Sequence, residues 1–183
     1  SASPETVLPV SSMIQIGLIG LGTVGQGFVR IFNQRRAQLQ NQIGADLELR
    51  WICDRHPAKK LNNLSLPKGV QVTSNFCDVL NDPSVNIVIE LIGGDTDARR
   101  VVSEALRSGK HVITANKMLL ANHWPAIWAL AARHHRHVYF EAAVAGGIPL
   151  ISSISNLLAS NKILKLEGIL NGTTNFVLTH MAH

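Results

Sequence analysis

Met13-Ile14-Gln15-Ile16-Gly17-Leu18-Ile19-Gly20-Leu21-Gly22-Thr23-Val24-Gly25 is the stretch that decides the fold of this chain. Its first seven residues form a short apolar run of the kind that makes a buried strand. A Gly-x-Gly-x-x-Gly turn follows at once, and a helical pattern then opens with Val24, Phe28, Val29, Ile31 and Phe32 on its apolar side. The three glycines act differently. Gly20 permits the tight turn, Gly22 lacks a Cβ so that a pyrophosphate can approach the backbone, and Gly25 lets the helix pack close to the strand. The free N–H groups and the dipole at the helix N-terminus then face the phosphates. Strand, glycine turn and helix in this order predict a dinucleotide-binding site; without that context the same glycines would be a structural turn.

The rest of the chain alternates strand and helix signals. After a helix over about Val24 to Gln40, Leu47–Cys53 reads as a second strand that ends at Asp54-Arg55-His56-Pro57. Val70–Val72 is a short strand, and Cys77–Leu80 a helical turn closed by Asn81-Asp82-Pro83. Asn86–Ile92 is almost continuously apolar, as expected of a strand buried on both faces. Gly93-Gly94 ends it, Asp95 or Thr96 caps a helix that runs to Leu106, and Ser108-Gly109 stops that helix. His111–Ile113, a helix over Trp124–His134 and a strand at Val138–Phe140 complete the pattern. Parallel strands joined by helical crossovers predict an α/β fold, a Rossmann-like doubly wound parallel sheet. Ligands of such sheets bind outside the carboxyl ends of the strands.

Those strand ends carry the candidate chemistry. Asp54 closes the second strand, where a carboxylate accepts hydrogen bonds from the adenosine ribose and favours NAD. Arg55 follows it, with Lys59 and Lys60 just beyond, and cations there pair with the 2′-phosphate of NADP. Asp54 tips the balance slightly to NAD. Lys117, at the end of Thr114-Ala115-Asn116-Lys117, can pair with phosphate, hold a substrate oxygen or, if desolvated, move a proton. Glu141-Ala142-Ala143-Val144-Ala145-Gly146-Gly147-Ile148-Pro149 is a glycine-rich loop with one carboxylate and freed carbonyls, hard ligands that suit a small cation. From spacing alone a packed loop is the simpler reading.

Composition narrows the classes. The 183 residues are 46% hydrophobic and 16% charged, enough to bury a core, and no apolar run approaches the roughly 20 residues of a membrane span. Residues 1–12 lack a secretory pattern and read as a disordered leader. Cys53 and Cys77 have no metal spacing and read as buried free thiols, consistent with a cytoplasmic setting. The net charge of +5 comes without aromatic interleaving, so a surface suited to an anionic cofactor is favoured over nucleic-acid binding. His134-His135-Arg136-His137 reads as the exposed end of a helix, because adjacent helical positions share no face.

Gly20–Gly25, Ile87–Gly94, Gly109–Lys117, Glu141–Ile151 and Glu167–Phe176, the last containing Asn171-Gly172-Thr173-Thr174-Asn175, together resemble the homoserine dehydrogenase family. The resemblance runs from Ile14 to Leu178 and implies reversible hydride transfer between NAD(P)H and L-aspartate 4-semialdehyde, giving L-homoserine, on the route to threonine, methionine and isoleucine. It implies that Gly20, Leu21, Gly22, Thr23, Val24 and Gly25 hold the pyrophosphate, with Asp54, Arg55, Ile92 and Gly93 also on the cofactor. Lys117 would serve both cofactor and active site. A monovalent cation, usually sodium, would be held by Glu141, Val144, Gly146 and Ile148. The family continues into a substrate domain with further catalytic residues. The expectation is therefore a NAD(P)-binding domain over residues 13–148, then the incomplete start of an α+β substrate and dimerisation domain over 149–183 with a strand at Ile163–Leu170. Such a chain would bind cofactor and turn over poorly by itself, the full-length enzyme being a homodimer or larger. Another semialdehyde or imine reductase, or a non-catalytic dinucleotide-binding module, is the alternative.

Overall fold

The protein is described by a computed structural model that covers residues 13–62, 64–157, 160–165, 167, 168, 179 and 181. The expected leader at 1–12 and the segment 169–178, which holds Asn171–Asn175, lie outside the described residues.

Six strands form one sheet: β1 (Met13–Ile19), β2 (Asp46–Cys53), β3 (Gln71–Thr73), β4 (Val85–Glu90), β5 (His111–Thr114) and β6 (Val138–Tyr139). Their order is β3-β2-β1-β4-β5-β6, and every pairing is parallel. The connecting helices are α1 (Thr23–Ile43), α2 (Pro57–Leu61), α3 (Phe76–Asn81), α4 (Thr96–Arg107) and α5 (Lys117–Arg133). The order reverses between β1 and β4, the switch point at which such sheets bind ligands.

Two apolar clusters sandwich the sheet. Val29 and Phe32 of α1 pack on Leu18, Leu49, Ile52 and Ile89 on one face. On the other face, α4 turns Ala98, Val101, Val102, Ala105 and Leu106 inward, each 0% exposed, against Val88 and Val112. α1 outlasts its predicted end and stops where Gly44 takes φ 67° and donates its N–H to the Gln40 carbonyl.

Several local expectations change. α5 begins at Lys117, not Trp124, because the Asn116 side chain caps it by accepting from Leu119 N–H at 3.1 Å. Pro125 lies inside this helix. α2 arises where the sequence suggests only a turn, with Pro57 in its first turn. Asp95 takes the N-cap position of α4, as expected, but its side chain makes no capping bond; its carboxylate accepts from Asn122 Nδ2 at 3.1 Å and meets His123 Nε2 at 2.7 Å. β4 leaves the sheet after Glu90, so Leu91 and Ile92 belong to the following turn. Residues 162–165, 167 and 168 carry no regular structure, and Leu164 is 84% exposed; the strand expected at Ile163–Leu170 is not formed there. A strand needs a ladder partner, and none is present among the described residues. Cys53 is buried and Cys77 half-buried; both are free, and burial pushes the Cys53 thiol up to about 11.

Candidate functional site

The glycine turn is shaped by its neighbours on both sides. Gly20 donates its N–H to the Cys53 carbonyl at 2.8 Å and takes φ 105°. A Cβ there would lie 2.5 Å from the Leu91 backbone, and a Cβ on Gly25 would strike the Gly20 carbonyl oxygen. At Gly22 a Cβ would meet no protein atom within 4 Å, which leaves that approach to a ligand. Leu21 points the other way: its side chain is 0% exposed in the core, and its N–H donates to Asp54 Oδ2 at 2.8 Å. Leu21 therefore shapes the turn from beneath, while Thr23 and Val24 are exposed on the first turn of α1. That turn has no side-chain cap and no acidic residue, so the positive end of the helix dipole is uncompensated. A pyrophosphate fits this cradle of free N–H groups.

Asp54 is 7% exposed and fully engaged. Oδ1 accepts from His56 N–H at 2.9 Å and Lys60 Nζ at 2.8 Å, and Oδ2 accepts from Leu21 N–H at 2.8 Å and Lys60 Nζ at 2.7 Å. A carboxylate offers about four lone-pair sites, and all are used. Burial works to raise this carboxyl, but the bonds from Lys60, His56 and Leu21 outweigh it and hold it below the usual carboxylate range. Arg55 and Lys59 are exposed beside it.

Across the switch point the ends of β4 and β5 share a buried polar cluster. Glu90 is 0% exposed; it accepts from Ile92 N–H at 2.9 Å and from the Thr114 hydroxyl at 2.6 Å. The Thr114 oxygen accepts from Asn116 N–H at 3.0 Å, and Asn116 Nδ2 donates to the Gly94 carbonyl at 2.7 Å. Reading the sequence assigns no role to Glu90 or Asn116. A signal for Glu90 is present there nonetheless, a lone carboxylate inside an apolar strand.

Val24, Leu91, Gly93, Ala115, Asn116 and Lys117 line a cavity of about 290 Å³ between the glycine turn and the start of α5. Lys117 also borders a second cavity of about 560 Å³, walled by Leu120, Trp124, Phe140, Ala143 and Val144. Gly20–Gly25, Asp54, Ile92, Gly93 and Lys117 thus gather at one edge of the sheet. Ile92 is not among the residues lining the cavity: its N–H is held by Glu90 and its side chain packs against the apolar core.

The loop after β6 shares the second cavity with Lys117. Glu141–Ala143 is a 3₁₀ turn, and Ala145 and Gly146 follow with φ 55° and 62°. The Glu141 carboxylate accepts from Ile151 N–H at 2.9 Å and Ser152 N–H at 2.8 Å, at the start of the helical turn Leu150–Ser152. Desolvation opposes its ionisation, and these backbone bonds outweigh that to lower its pKa. The Ile148 carbonyl accepts from Leu150 N–H at 2.8 Å. Val144, Gly146 and Ile148 lie in the same loop as the Glu141 carboxylate, and carboxylate and carbonyl oxygens are the donor types that suit a hard cation. His134–His137 form the turn between α5 and β6, with the ring of His137 stacked on His111 at 5.4 Å.

A doubly wound parallel sheet with a glycine cradle at its switch point defines a NAD(P)-binding domain of the Rossmann type. A family profile described as "Homoserine dehydrogenase, NAD binding domain" matches residues 20–141, and one described as "Homoserine dehydrogenase" matches residues 149–183. The homoserine dehydrogenase of Bacillus subtilis is 44% identical over 168 residues, and that of Pseudomonas aeruginosa 41%; each alignment covers 92% of this chain and 38% of the relative. The crystal structure of a homoserine dehydrogenase from Thiobacillus denitrificans superposes with a TM-score of 0.84 at 41% identity, over 93% of this chain and 39% of that one. The chain belongs to the homoserine dehydrogenase family, an oxidoreductase family, and spans about 38% of the length of the curated relatives it matches. No helix among the described residues is long and apolar enough to cross a membrane.

Proposed function

We propose that this chain binds NADP(H), in preference to NAD(H), as the cofactor part of a homoserine dehydrogenase that interconverts L-homoserine and L-aspartate 4-semialdehyde. The observation that carries this reading is the position of Lys117, which borders both the glycine-turn crevice and the neighbouring cavity. Residues 13–148 form the cofactor domain in this reading, and 149–183 begin the part that meets substrate and a second subunit.

The N–H groups from Gly22 to Gly25 would hold the pyrophosphate of a bound dinucleotide, whose nicotinamide would supply or accept hydride. From its place between the two cavities, Lys117 would offer its ammonium to the aldehyde oxygen and stabilise the developing alkoxide. Glu141 and the carbonyls of Val144, Gly146 and Ile148 would hold a sodium ion, whose charge would tie the carbonyls of this loop together. The filled lone pairs of Asp54 favour NADP: a ribose hydroxyl would have to displace Lys60, whereas Arg55 and Lys59 are exposed where a 2′-phosphate could meet them.

Calorimetric titration of the chain with NADP and NAD in sodium buffer tests the cofactor reading. Tighter binding of NADP is expected. Heat from neither sinks the reading, and tighter binding of NAD returns Asp54 to the ribose. In a protein carrying the complete activity, Lys117→Ala is expected to lower kcat by about 100-fold; unchanged turnover would remove Lys117 from the reaction.

A further inference from the structure

We propose that Glu90 is a positioning residue: its carboxylate fixes the turn after β4 and the start of α5 at the spacing that the nicotinamide half of the dinucleotide requires. The inference rests on the NAD(P)-binding reading above.

The placement of Glu90 is costly for the fold. It is 0% exposed in the middle of Ile87-Val88-Ile89-Glu90-Leu91-Ile92, where an apolar side chain would pack without any need for polar partners. What it gains is a bridge. One oxygen accepts from Ile92 N–H and the other from the Thr114 hydroxyl. Thr114 passes the connection to Asn116 N–H, and Asn116 returns it to the Gly94 carbonyl. Ile92-Gly93-Gly94 is therefore tied at both ends. Gly93 and Gly94 have φ of 72° and 73°, so two successive left-handed residues are held by side chains rather than by sheet. Asn116 also caps α5, and Lys117 is the next residue. One buried carboxylate thereby sets both walls of the cavity between Gly93 and Lys117.

The half of the cofactor that feels this follows from the topology. The end of β2 takes the adenosine ribose and the glycine turn takes the pyrophosphate, so the nicotinamide falls on the β4 side of the switch point. Glu90 bears most directly on that half, since its bonds run to Ile92 and Thr114 on the β4–β5 side.

The test uses the 183-residue chain, with NADPH and NADH as whole dinucleotides and 2′,5′-ADP and ADP as fragments that end short of β4. Thr114→Val removes the hydroxyl bridge with little change of shape, and Thr114→Ser keeps it. Thr114→Val is expected to weaken the preferred dinucleotide about tenfold while its matching fragment binds within about twofold of the unaltered chain. Thr114→Ser should bind both as the unaltered chain does, and Glu90→Gln should reproduce Thr114→Val if it folds. Equal loss of dinucleotide and fragment in Thr114→Val would show a merely structural bridge and overturn the proposal. So would unchanged dinucleotide binding. If the unaltered chain binds no dinucleotide, the cofactor reading itself falls, which is a distinct result.

Discussion

The crevice between β1 and β4 and the groove beside β6 belong to one sheet but are built by different means. The crevice is small, about 290 Å³, and its walls are fixed by backbone turns and buried polar bonds through Asp54, Glu90, Thr114 and Asn116. The groove is about 700 Å³ and is walled by aromatic and histidine rings, with Trp128 and Tyr139 each 57% exposed. Directional bonds fix a backbone to fractions of an ångström, whereas apolar contact fixes volume and leaves rings room to shift. The difference separates a surface preorganised for one rigid ligand shape from one suited to broader apolar contact.

The sharpest way to break this contrast is to overfill the glycine turn. Gly25→Val drives a side chain into the Gly20 carbonyl. Overpacking of this kind costs up to about 3 kcal/mol or more, a fall in Tm of about 10 °C in a chain of this size, and dinucleotide binding should be lost. Gly22→Ala is the control: no protein atom lies within 4 Å of its new methyl, so the Tm should hold while affinity drops at least about tenfold. Equal melting points for the two variants would show that the turn is not held as described. Trp124, which walls both the groove and the cavity beside Lys117, packs on Phe140 at 4.6 Å and on Trp128 at 5.2 Å between ring centres. Trp124→Ala should cost roughly 2–3 kcal/mol, somewhat less than for a fully buried ring. Titration should find dinucleotide affinity within about twofold of the unaltered chain; a larger loss would mean that crevice and groove are coupled.

The same contrast governs what is legible in the sequence. Gly20, Gly22 and Gly25 announce their roles locally, since a strand, a turn and a helix follow one another within a few residues. The parallel, doubly wound sheet follows from alternation alone. The start of α5 is misjudged from sequence because Asn116 shows itself as a cap only in the fold, where its side chain accepts from Leu119 N–H and donates to the Gly94 carbonyl. Asp54 is visible, but not Lys60 folding back over it, since a five-residue helix too weak to read brings that lysine round. Glu90 can be seen as an anomaly, yet its partner Thr114 lies 24 residues away on the neighbouring strand. Motifs declare contacts within a turn; bonds between strand ends need the register.

Lys60→Ala sharpens the account of the crevice. It frees two lone-pair sites on Asp54 and leaves the carboxylate unneutralised, so the ratio of NADP to NAD affinity should move toward NAD by about tenfold. Parallel titrations of the variant and the unaltered chain give that ratio, and an unmoved ratio would mean that Lys60 does not govern the adenosine end. The variant should also be more acid-resistant in relative terms. The folded Asp54 carboxyl lies below its ordinary value, so its stabilisation is present above the usual carboxylate range and is lost as the pH falls through the folded pKa. Without Lys60 that depression shrinks, and less stability remains to be lost in acid.

The smallest expected effect lies at the β5–β6 edge, where the groove begins. His111 Nδ1 accepts from His137 N–H at 3.1 Å, so that nitrogen carries no proton in the folded state. Burial, then the charges of Arg136 and His137, lower its pKa below 6.5. The unfolded chain takes up the proton first, so the contribution of His111 is complete above pH 6.5 and declines as the pH falls through the folded pKa. A proton on Nδ1 abolishes the bond to His137 and loosens the edge strand without touching Glu90 or Asp54. Amide exchange, expressed as protection factors, should therefore show His137 and Val138 less protected at about pH 5.5 than at about pH 7.5, with Leu21 and Ile92 unchanged. His111→Asn, whose side-chain oxygen can accept the same bond but does not titrate, should erase the difference at the edge. If protection fell equally at Leu21 and at His137, acid would be acting on the whole domain, and the independence of crevice and groove would fail with it.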